Sequence, residues 1–95
     1  MSDVVNELLV TEAALEKLGA RAIAAADAEQ LLRNDHVTVR NPRGERESGT
    51  RRLLIGVTDG GRALTLVIEA TLEPTTWLIV TGWEASSVER KILGG

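Results

Sequence analysis

The chain has 95 residues, no cysteine and a formal net charge of −3 at pH 7. A chain this short builds one core, so residues 1–95 are predicted to form a single domain. The lack of cysteine excludes disulfides and thiolate chemistry, and a single histidine argues against a zinc site, so no metal or cofactor is predicted. No apolar run approaches the roughly 20 residues that span a bilayer, and the N-terminus has no signal-peptide pattern. A cytoplasmic protein without a membrane partner is therefore expected.

The charges are unevenly distributed along the chain. Residues 1–35 carry seven acids and three bases, whereas residues 36–62 carry six arginines and three acids. The acidic total argues against a nucleic-acid-binding protein. The basic segment of residues 36–62 is interpreted first as a solvated face of the sheet and a charged loop. The alternative interpretation is an RNA-binding surface.

The first third of the chain predicts one short strand and two helices. The run "VVNELLV", residues 4–10, is consistent with a strand or with a helical lead-in, and is assigned to a short strand. Thr11 is placed to cap a helix over "EAALEKLG", residues 12–19. A second helix is predicted over "ADAEQLLRN", residues 26–34, with acids in its first turn and Arg33 in its last.

From residue 36 the apolar period changes from helical to alternating. Four strands follow one another with no helix between them, so they are expected to pair antiparallel. They are "HVTVR", "RRLLIGVT", "RALTLVIEA" and "TWLIVTG".

Three connections join these strands. The segment "TDGGR", residues 58–62, predicts a hairpin turn, and "EPT", residues 73–75, predicts a further turn. The polar segment "NPRGERESG", residues 41–49, predicts a long loop. The final segment "EASSVERKIL", residues 84–93, returns to helical spacing with an apolar stripe of Ala85, Val88 and Ile92.

These elements predict an α+β fold with two N-terminal helices, a four-stranded antiparallel meander sheet and a C-terminal helix. In the strands of residues 52–58 and 64–69, both faces carry apolar side chains. Three short helices cannot cover both faces of such a sheet, so we expect apolar surface that a homo-oligomer or a second protein would cover.

Two segments resemble motifs of the BrnT-type toxins. The segment "RRLLIGVTDGGRALTLVI", residues 51–68, resembles E-x-R-x-x-x-I-G-x-T-x-x-G-R-x-L-x-V-V. The segment "WLIVTGWEASSVERKIL", residues 77–93, resembles I-I-S-A-R-x-A-x-x-x-E-R in outline. The resemblance covers about two thirds of the chain. It implies a RelE-like fold and a toxin that cleaves RNA without a metal and is held inactive by an antitoxin protein.

The chain departs from these motifs in two places. Gly82 and Trp83 stand where the family has Ala-Arg at the end of the last strand. The family's helical H-G-V element is replaced by "RAI", residues 21–23. The first change removes an arginine that the resemblance would place in the active cleft, and the second removes a histidine.

The resemblance places Arg52, Arg62, Glu89 and Arg90 at catalytic positions. Cleavage of RNA without a metal needs a base for the ribose 2′-OH, an acid for the leaving oxygen and cations for the phosphorane charge. The arginines would supply the cations, and the acid and base would come from His36, Glu84 and Glu89. The candidate RNA contacts are Arg51, Trp83, Lys91 and His36.

Each candidate also has a structural interpretation. A histidine at the start of a strand is commonly a hydrogen-bonded strand residue. Arginines such as Arg51 and Arg52 commonly protect a strand edge or form ion pairs. Trp77 is expected in the core, whereas Trp83 either closes the end of the core or stacks on a base or a partner side chain.

Two functions are consistent with these observations. The first is a toxin-type endoribonuclease that an antitoxin neutralises. The second is a catalytically inactive scaffold of the same fold that acts as a protein-interaction or oligomerisation module.

Overall fold

The computed structural model describes residues 4–40 and 51–94. Its strands are β1 (Glu7–Val10), β2 (His36–Arg40), β3 (Arg51–Val57), β4 (Ala63–Ala70) and β5 (Thr76–Glu84). Its helices are α1 (Glu12–Gly19), α2 (Ala25–Arg33) and α3 (Ser87–Gly94). Among these residues, no helix has the length and apolar character needed to cross a membrane.

The five strands form one mixed sheet in the order β1-β5-β4-β3-β2. The strands from β2 to β5 pair antiparallel with their neighbours in the chain. The predicted sheet, a four-stranded antiparallel meander of the RelE/BrnT type after two N-terminal helices, is nevertheless wrong. Strand β1 also joins the sheet and runs parallel to β5.

Strand β5 holds the N-terminal segment in this parallel position. Asn6 N and Glu7 N donate hydrogen bonds to Thr75 O, at 2.9 and 3.2 Å. The Trp77 indole Nε1 donates to Val4 O at 3.1 Å. The antiparallel rule applies to consecutive strands, and β1 and β5 are the first and last strands of the chain. The sequence therefore predicts the strand but not its partner.

The predicted ends of α1 and α2 are confirmed. Thr11 caps α1, because its Oγ1 accepts a hydrogen bond from Ala14 N at 3.1 Å. Helix α2 ends at Arg33, and Asn34 is its C-cap, which confirms the predicted stop to within one residue. At its start, Ala24 N donates to the Asp27 carboxylate at 2.9 Å, which satisfies one backbone donor outside the helix.

Two predicted turns are also confirmed. Thr58 N donates to Arg62 O at 2.9 Å and closes the hairpin between β3 and β4. Gly61 in this hairpin has a φ of +86°, which glycine adopts at little cost. Thr76 N donates to Glu73 O at 3.1 Å in the turn before β5. The predicted loop over residues 41–49 lies outside the described residues.

Helices α1 and α2 cover one face of the sheet, which we call the inner face. Leu18 of α1 and Leu31 of α2 are fully buried there. Burying a leucine side chain stabilises the fold by about 1.5–3 kcal/mol. The sheet contributes Leu54, Leu64, Leu66, Ile68, Trp77 and Ile79 to this core.

Gly82 allows α1 to pack directly against β5. A Cβ at this position would lie 2.6 Å from Leu66 Cδ2, and 3.0 Å from both Leu18 Cδ2 and Thr65 O. Both leucines are fully buried, so they have no space to move away. The position has no room for the alanine that the BrnT-type motif carries there.

Helix α3 crosses the opposite face, which we call the outer face, and contacts β2 and β3. The predicted apolar stripe is wrong at two of its three positions, because Val88 is 66% exposed and Ile92 is 43% exposed. Ala85 is buried as expected. The helix instead turns Glu89 toward the sheet, where its carboxylate accepts a hydrogen bond from Thr65 Oγ1 at 3.0 Å.

Substituting Gly82→Ala is expected to lower the free energy of unfolding by about 1–3 kcal/mol, because the added methyl group overpacks the contact between α1 and β5. Urea unfolding followed by circular dichroism measures this change. Gly19→Ala is the matched control, since a Cβ there meets nothing within 4 Å. An equal effect of both substitutions would contradict the packing argument.

Candidate functional site

Each of the two tryptophans of β5 holds one terminal segment against the sheet: Trp77 holds the segment before β1, and Trp83 holds α3. Trp77 is 5% exposed, which confirms its expected place in the core, and its indole holds the segment before β1. Trp83 is half-buried, and its Nε1 donates to the Glu89 carboxylate, at 3.1 Å to Oε1 and 3.4 Å to Oε2. The second tryptophan therefore fixes α3 on the sheet.

Glu89 lies at the centre of a hydrogen-bond cluster at the start of α3. Besides the indole of Trp83, its Oε1 accepts from Thr65 Oγ1 at 3.0 Å and from Ser86 N at 2.8 Å. In return, Glu89 N donates to Ser86 Oγ at 3.2 Å. The reciprocal bonds between Ser86 and Glu89 form a capping box. One carboxylate thus caps the helix and attaches it to both β4 and β5.

These bonds change the acidity of Glu89. Partial burial acts to raise its pKa, but the hydrogen bonds from Ser86, Trp83 and Thr65 outweigh this, and the pKa lies below its ordinary value of 4.5. A carboxyl group with a lowered pKa is ionised at neutral pH. The anion accepts hydrogen bonds from all three neighbours, which is the arrangement of a structural anchor.

Arg62 forms a second cluster, at the end of the sheet near the β3–β4 hairpin. Its Nε donates to Glu84 Oε2 at 3.2 Å. Its Nη1 donates to Ala22 O at 2.6 Å, and its Nη2 donates to Arg21 O at 3.0 Å. Ala22 has a φ of +57°, which costs about 1–3 kcal/mol for a residue other than glycine. Arg62 therefore stabilises the strained turn between α1 and α2.

Arg21 adds a bond in the reverse direction. Its Nη1 donates to Gly82 O at 2.8 Å, so this side chain connects the turn after α1 to β5. Arg21 is not among the functional residues that the sequence predicts. No local pattern indicates its role, because its partner is 61 residues away in the chain.

The other predicted site residues lie elsewhere on the sheet and on α3. Arg51 forms an ion pair with Glu69 at 2.9 Å, and Arg52 Nη1 donates to Arg51 O at 2.9 Å. His36 Nδ1 lies 2.9 Å from Asn34 O, so this nitrogen carries the proton and donates it. Arg90 and Lys91 are exposed on α3.

The predicted catalytic residues do not gather at one place. Arg52 is aligned with Ile68 on β4, whereas Arg62 directly precedes this strand. At about 3.3 Å per strand residue, their backbones are about 20 Å apart. Among the predicted residues, hydrogen bonds join Trp83 with Glu89, Arg62 with Glu84, and Arg52 with Arg51. Glu89, Arg90 and Lys91 are neighbours on α3.

Two open grooves occur in the described part of the chain. One, of about 380 Å³, is lined by Lys17, Ala20, Arg21 and Thr81. The other, of about 280 Å³, is lined by Asn6, Glu7, Leu8, Glu29, Leu32 and Arg33. Neither contains His36, Arg52, Glu89 or Arg90. In the part of the chain that the structure describes, no three His, Asp or Glu side chains are grouped to hold a metal ion.

Comparison of the chain with protein-family models, with curated proteins and with solved structures finds no match in any of the three. The resemblance to BrnT-type toxins therefore remains a prediction from residues 51–68 and 77–93. The function is therefore inferred from the contacts of these residues within the fold.

Substituting Glu89→Gln is expected to lower the free energy of unfolding at pH 7 by about 1–3 kcal/mol, since hydrogen bonds to a charged acceptor are lost. Because the folded pKa is lowered, the contribution of Glu89 is present above its unfolded pKa and is lost as the pH falls through the folded value. The parent and the variant should therefore converge in stability as the pH is lowered below 4.5. Chemical unfolding at a series of pH values measures this difference.

Arg90→Gln is the control for this change, because it alters an exposed charge one residue away. It should change stability by less than about 0.5 kcal/mol. A constant difference between parent and Glu89→Gln from pH 7 to pH 3 would contradict the assigned role of the carboxylate.

Substituting Arg62→Ala is expected to lower the free energy of unfolding by about 1–3 kcal/mol, because two backbone carbonyl groups lose a charged donor. Arg62→Lys should not restore it, since one ammonium group cannot reproduce the guanidinium geometry. Thermal unfolding compares these variants with Arg33→Ala, which removes an ion pair whose side chains are 67% and 59% exposed. The Arg33 control should cost less than about 1 kcal/mol, and an Arg62→Ala variant as stable as that control would refute the anchoring role.

Proposed function

We propose that this protein is a non-catalytic module that associates with another protein molecule through the outer face of its sheet. The observation that carries the proposal is a contrast between two groups of residues. Arg62 and Glu89, which the resemblance places at catalytic positions, make structural hydrogen bonds in separate clusters. Apolar Val88 and Ile92 of α3, by contrast, are exposed to solvent.

The outer face is only partly covered by its helix. Helix α3 contacts β2 and β3, and no other described helix lies on that face. At the far edge of the sheet, Leu9 of β1 is 45% exposed and points away from the core that Leu8 and Val10 join. Apolar groups left in contact with water at both ends of one face favour association, because covering them removes apolar area from water.

The acid and base that RNA cleavage needs are also poorly placed. Glu89 is ionised at neutral pH because its pKa is lowered, so it has no proton to donate to a leaving group. Its hydrogen bonds from Thr65, Trp83 and Ser86 and its lowered pKa also make it a weak base. Glu84 accepts a hydrogen bond from Arg62, and His36 lies on β2 at the edge of the described sheet. None of the hydrogen bonds between described residues joins two of these three groups.

An endoribonuclease controlled by an antitoxin remains the second hypothesis. The neighbouring basic residues Arg90 and Lys91, both exposed on α3, favour it because they would attract a phosphate backbone. Binding RNA through these residues would not by itself provide an acid or a base.

An RNA-cleavage assay tests the two hypotheses against each other. Purified protein is incubated with a mixed RNA substrate in the presence of EDTA, and we expect the RNA to remain intact. The control is an Arg52→Ala, Arg90→Ala double variant whose fold is checked by circular dichroism. Cleavage by the parent that is lost in the folded double variant would overturn the proposal.

The association itself is tested by photo-crosslinking. A photoreactive amino acid is introduced at Ile92, on the exposed side of α3, and at Glu16 of α1 as the matched exposed control. Irradiation of cells that produce each variant should give discrete crosslinked species from position 92 and none from position 16. Equal crosslinking from both positions, or none from position 92, would count against an interface on the outer face.

A further inference from the structure

We propose that the partner is a second copy of this chain, and that the two copies pair antiparallel along β2. This inference rests on the proposed function and names the partner for it. The two five-stranded sheets would join at β2 into one continuous sheet. The outer faces of both copies then lie on the same side of the joined sheet, with the two α3 helices over the junction.

Strand β2 is an edge of the described sheet, paired with β3 alone. Its residues His36 to Val39 are half-buried, and none of these four is a proline, a lysine or an acid. Its register with β3 runs through five residues without a bulge. Natural sheet edges that avoid pairing carry prolines, charges or bulges, and the first four positions of this edge carry none of them.

The sequence of β2 is complementary to itself in an antiparallel pair. When Thr38 lies opposite Thr38 of the second copy, Val37 lies opposite Val39 on both sides of the axis. Val37 and Val39 are aligned with Ile55 and Leu53 of β3, so the valine pairs continue the apolar rows of the outer face. Aromatic and β-branched residues facing each other across strands stabilise a sheet.

Other registers are less favourable. A shift by one residue would place the valines on opposite faces of the joined sheet. A shift by two residues toward the N-terminus would place the Asp35 carboxylate opposite Val39. The register centred on Thr38 pairs all five residues of β2 and opposes neither two carboxylates nor two arginines, because Arg40 lies opposite His36.

The exposed residues of α3 belong to the same interface. Stable protein interfaces bury about 1,200–2,000 Å² in total, which is more than one pair of five-residue strands provides. Helix α3 contacts β2 and carries Val88 and Ile92 exposed. Two copies joined at β2 bring these apolar side chains together above the junction and supply the additional area.

The opposite edge of the sheet is less suited to self-pairing. Strand β1 has four residues and begins with the exposed acid Glu7. The groove beside it is lined by charged Glu7, Glu29 and Arg33. Pairing at β1 would also leave the exposed side of α3 uncovered, since α3 contacts β2 and β3.

The absence of cysteine allows a direct test. In the proposed register a Thr38→Cys substitution places the thiols of the two copies opposite each other, at a Cβ–Cβ separation of about 4.5–5.5 Å. This is close to the about 3.5–4.5 Å of a disulfide. Under mild oxidation Thr38→Cys should therefore form a dimer with twice the 10.2 kDa mass of the chain, seen by non-reducing electrophoresis.

Two single-cysteine variants serve as controls. In the proposed register the positions of residue 36 in the two copies are about 13 Å apart along the strand. The His36→Cys variant should therefore crosslink slowly. Leu9→Cys tests the other edge, where Leu9 is 45% exposed and therefore more accessible than the half-buried Thr38. Crosslinking of Thr38→Cys that is no faster than that of Leu9→Cys would overturn the proposed pairing.

Sedimentation equilibrium of the unmodified chain gives an independent measurement. We expect a mass of twice 10.2 kDa that falls toward the single-chain mass on dilution. Thr38→Lys, which opposes two ammonium groups at the axis, should weaken dimerisation at least tenfold, whereas Leu9→Lys should not. A parent that remains a monomer at all concentrations would refute the dimer.

These outcomes separate the two proposals. A monomeric parent that gives crosslinks from Ile92 only to a different protein would overturn self-pairing and leave the association function intact. RNA cleavage that depends on Arg52 and Arg90 would overturn the association function, whatever the oligomeric state. A dimer with fast Thr38→Cys crosslinking and intact RNA supports both.

Discussion

The carboxylate of Glu89 is the group on which the position of α3 depends. It accepts hydrogen bonds from the Trp83 indole, from Thr65 Oγ1 and from Ser86 N, and so joins the helix to two strands. A short helix with no fully buried residue gains little from packing alone, so these polar bonds orient it. They also turn Glu89 toward the sheet and leave Val88 and Ile92 in contact with water. The apolar surface proposed for association is thus a consequence of how the helix is anchored.

Arginine side chains make the corresponding connections at the hairpin end of the sheet. Arg62 donates to two carbonyl groups of the turn between α1 and α2, and Arg21 donates from that turn to Gly82 O. All three bonds connect segments that are distant in the chain, and all three satisfy backbone carbonyl groups that the helix end and the strand leave without a partner. The basic residues at this end are therefore used in the fold, which lowers the number of cations available to a phosphate.

In the proposed dimer, the outer face and the β2 edge are parts of the same interface. Among the described residues, two helices cover one face of the sheet and one short helix covers the other. Apolar residues on such a face are usually covered by a further layer or by a partner. Val37 and Val39 extend the apolar rows of that face to the edge of the sheet, where they would meet the same residues of a second copy. Strand β2 is the edge of the described sheet and also contacts α3. Pairing of two copies along β2 would therefore cover both the strand edge and the exposed side of the helix.

Local patterns in the sequence determined the helices, the strands and the turns, because capping residues, apolar periods and glycine-containing turns act over a few residues. Thr11, Asn34 and the "TDGGR" turn are examples. The sequence also contains the spacing S-x-x-E of the capping box that Ser86 and Glu89 form. The apolar residues Val88 and Ile92 nevertheless predicted that a different face of this helix packs on the sheet. Only the tertiary structure decided that β1 pairs parallel with β5 and that the candidate catalytic residues are separated. These features depend on contacts between residues 40 to 73 positions apart, and no local spacing in the sequence encodes such contacts.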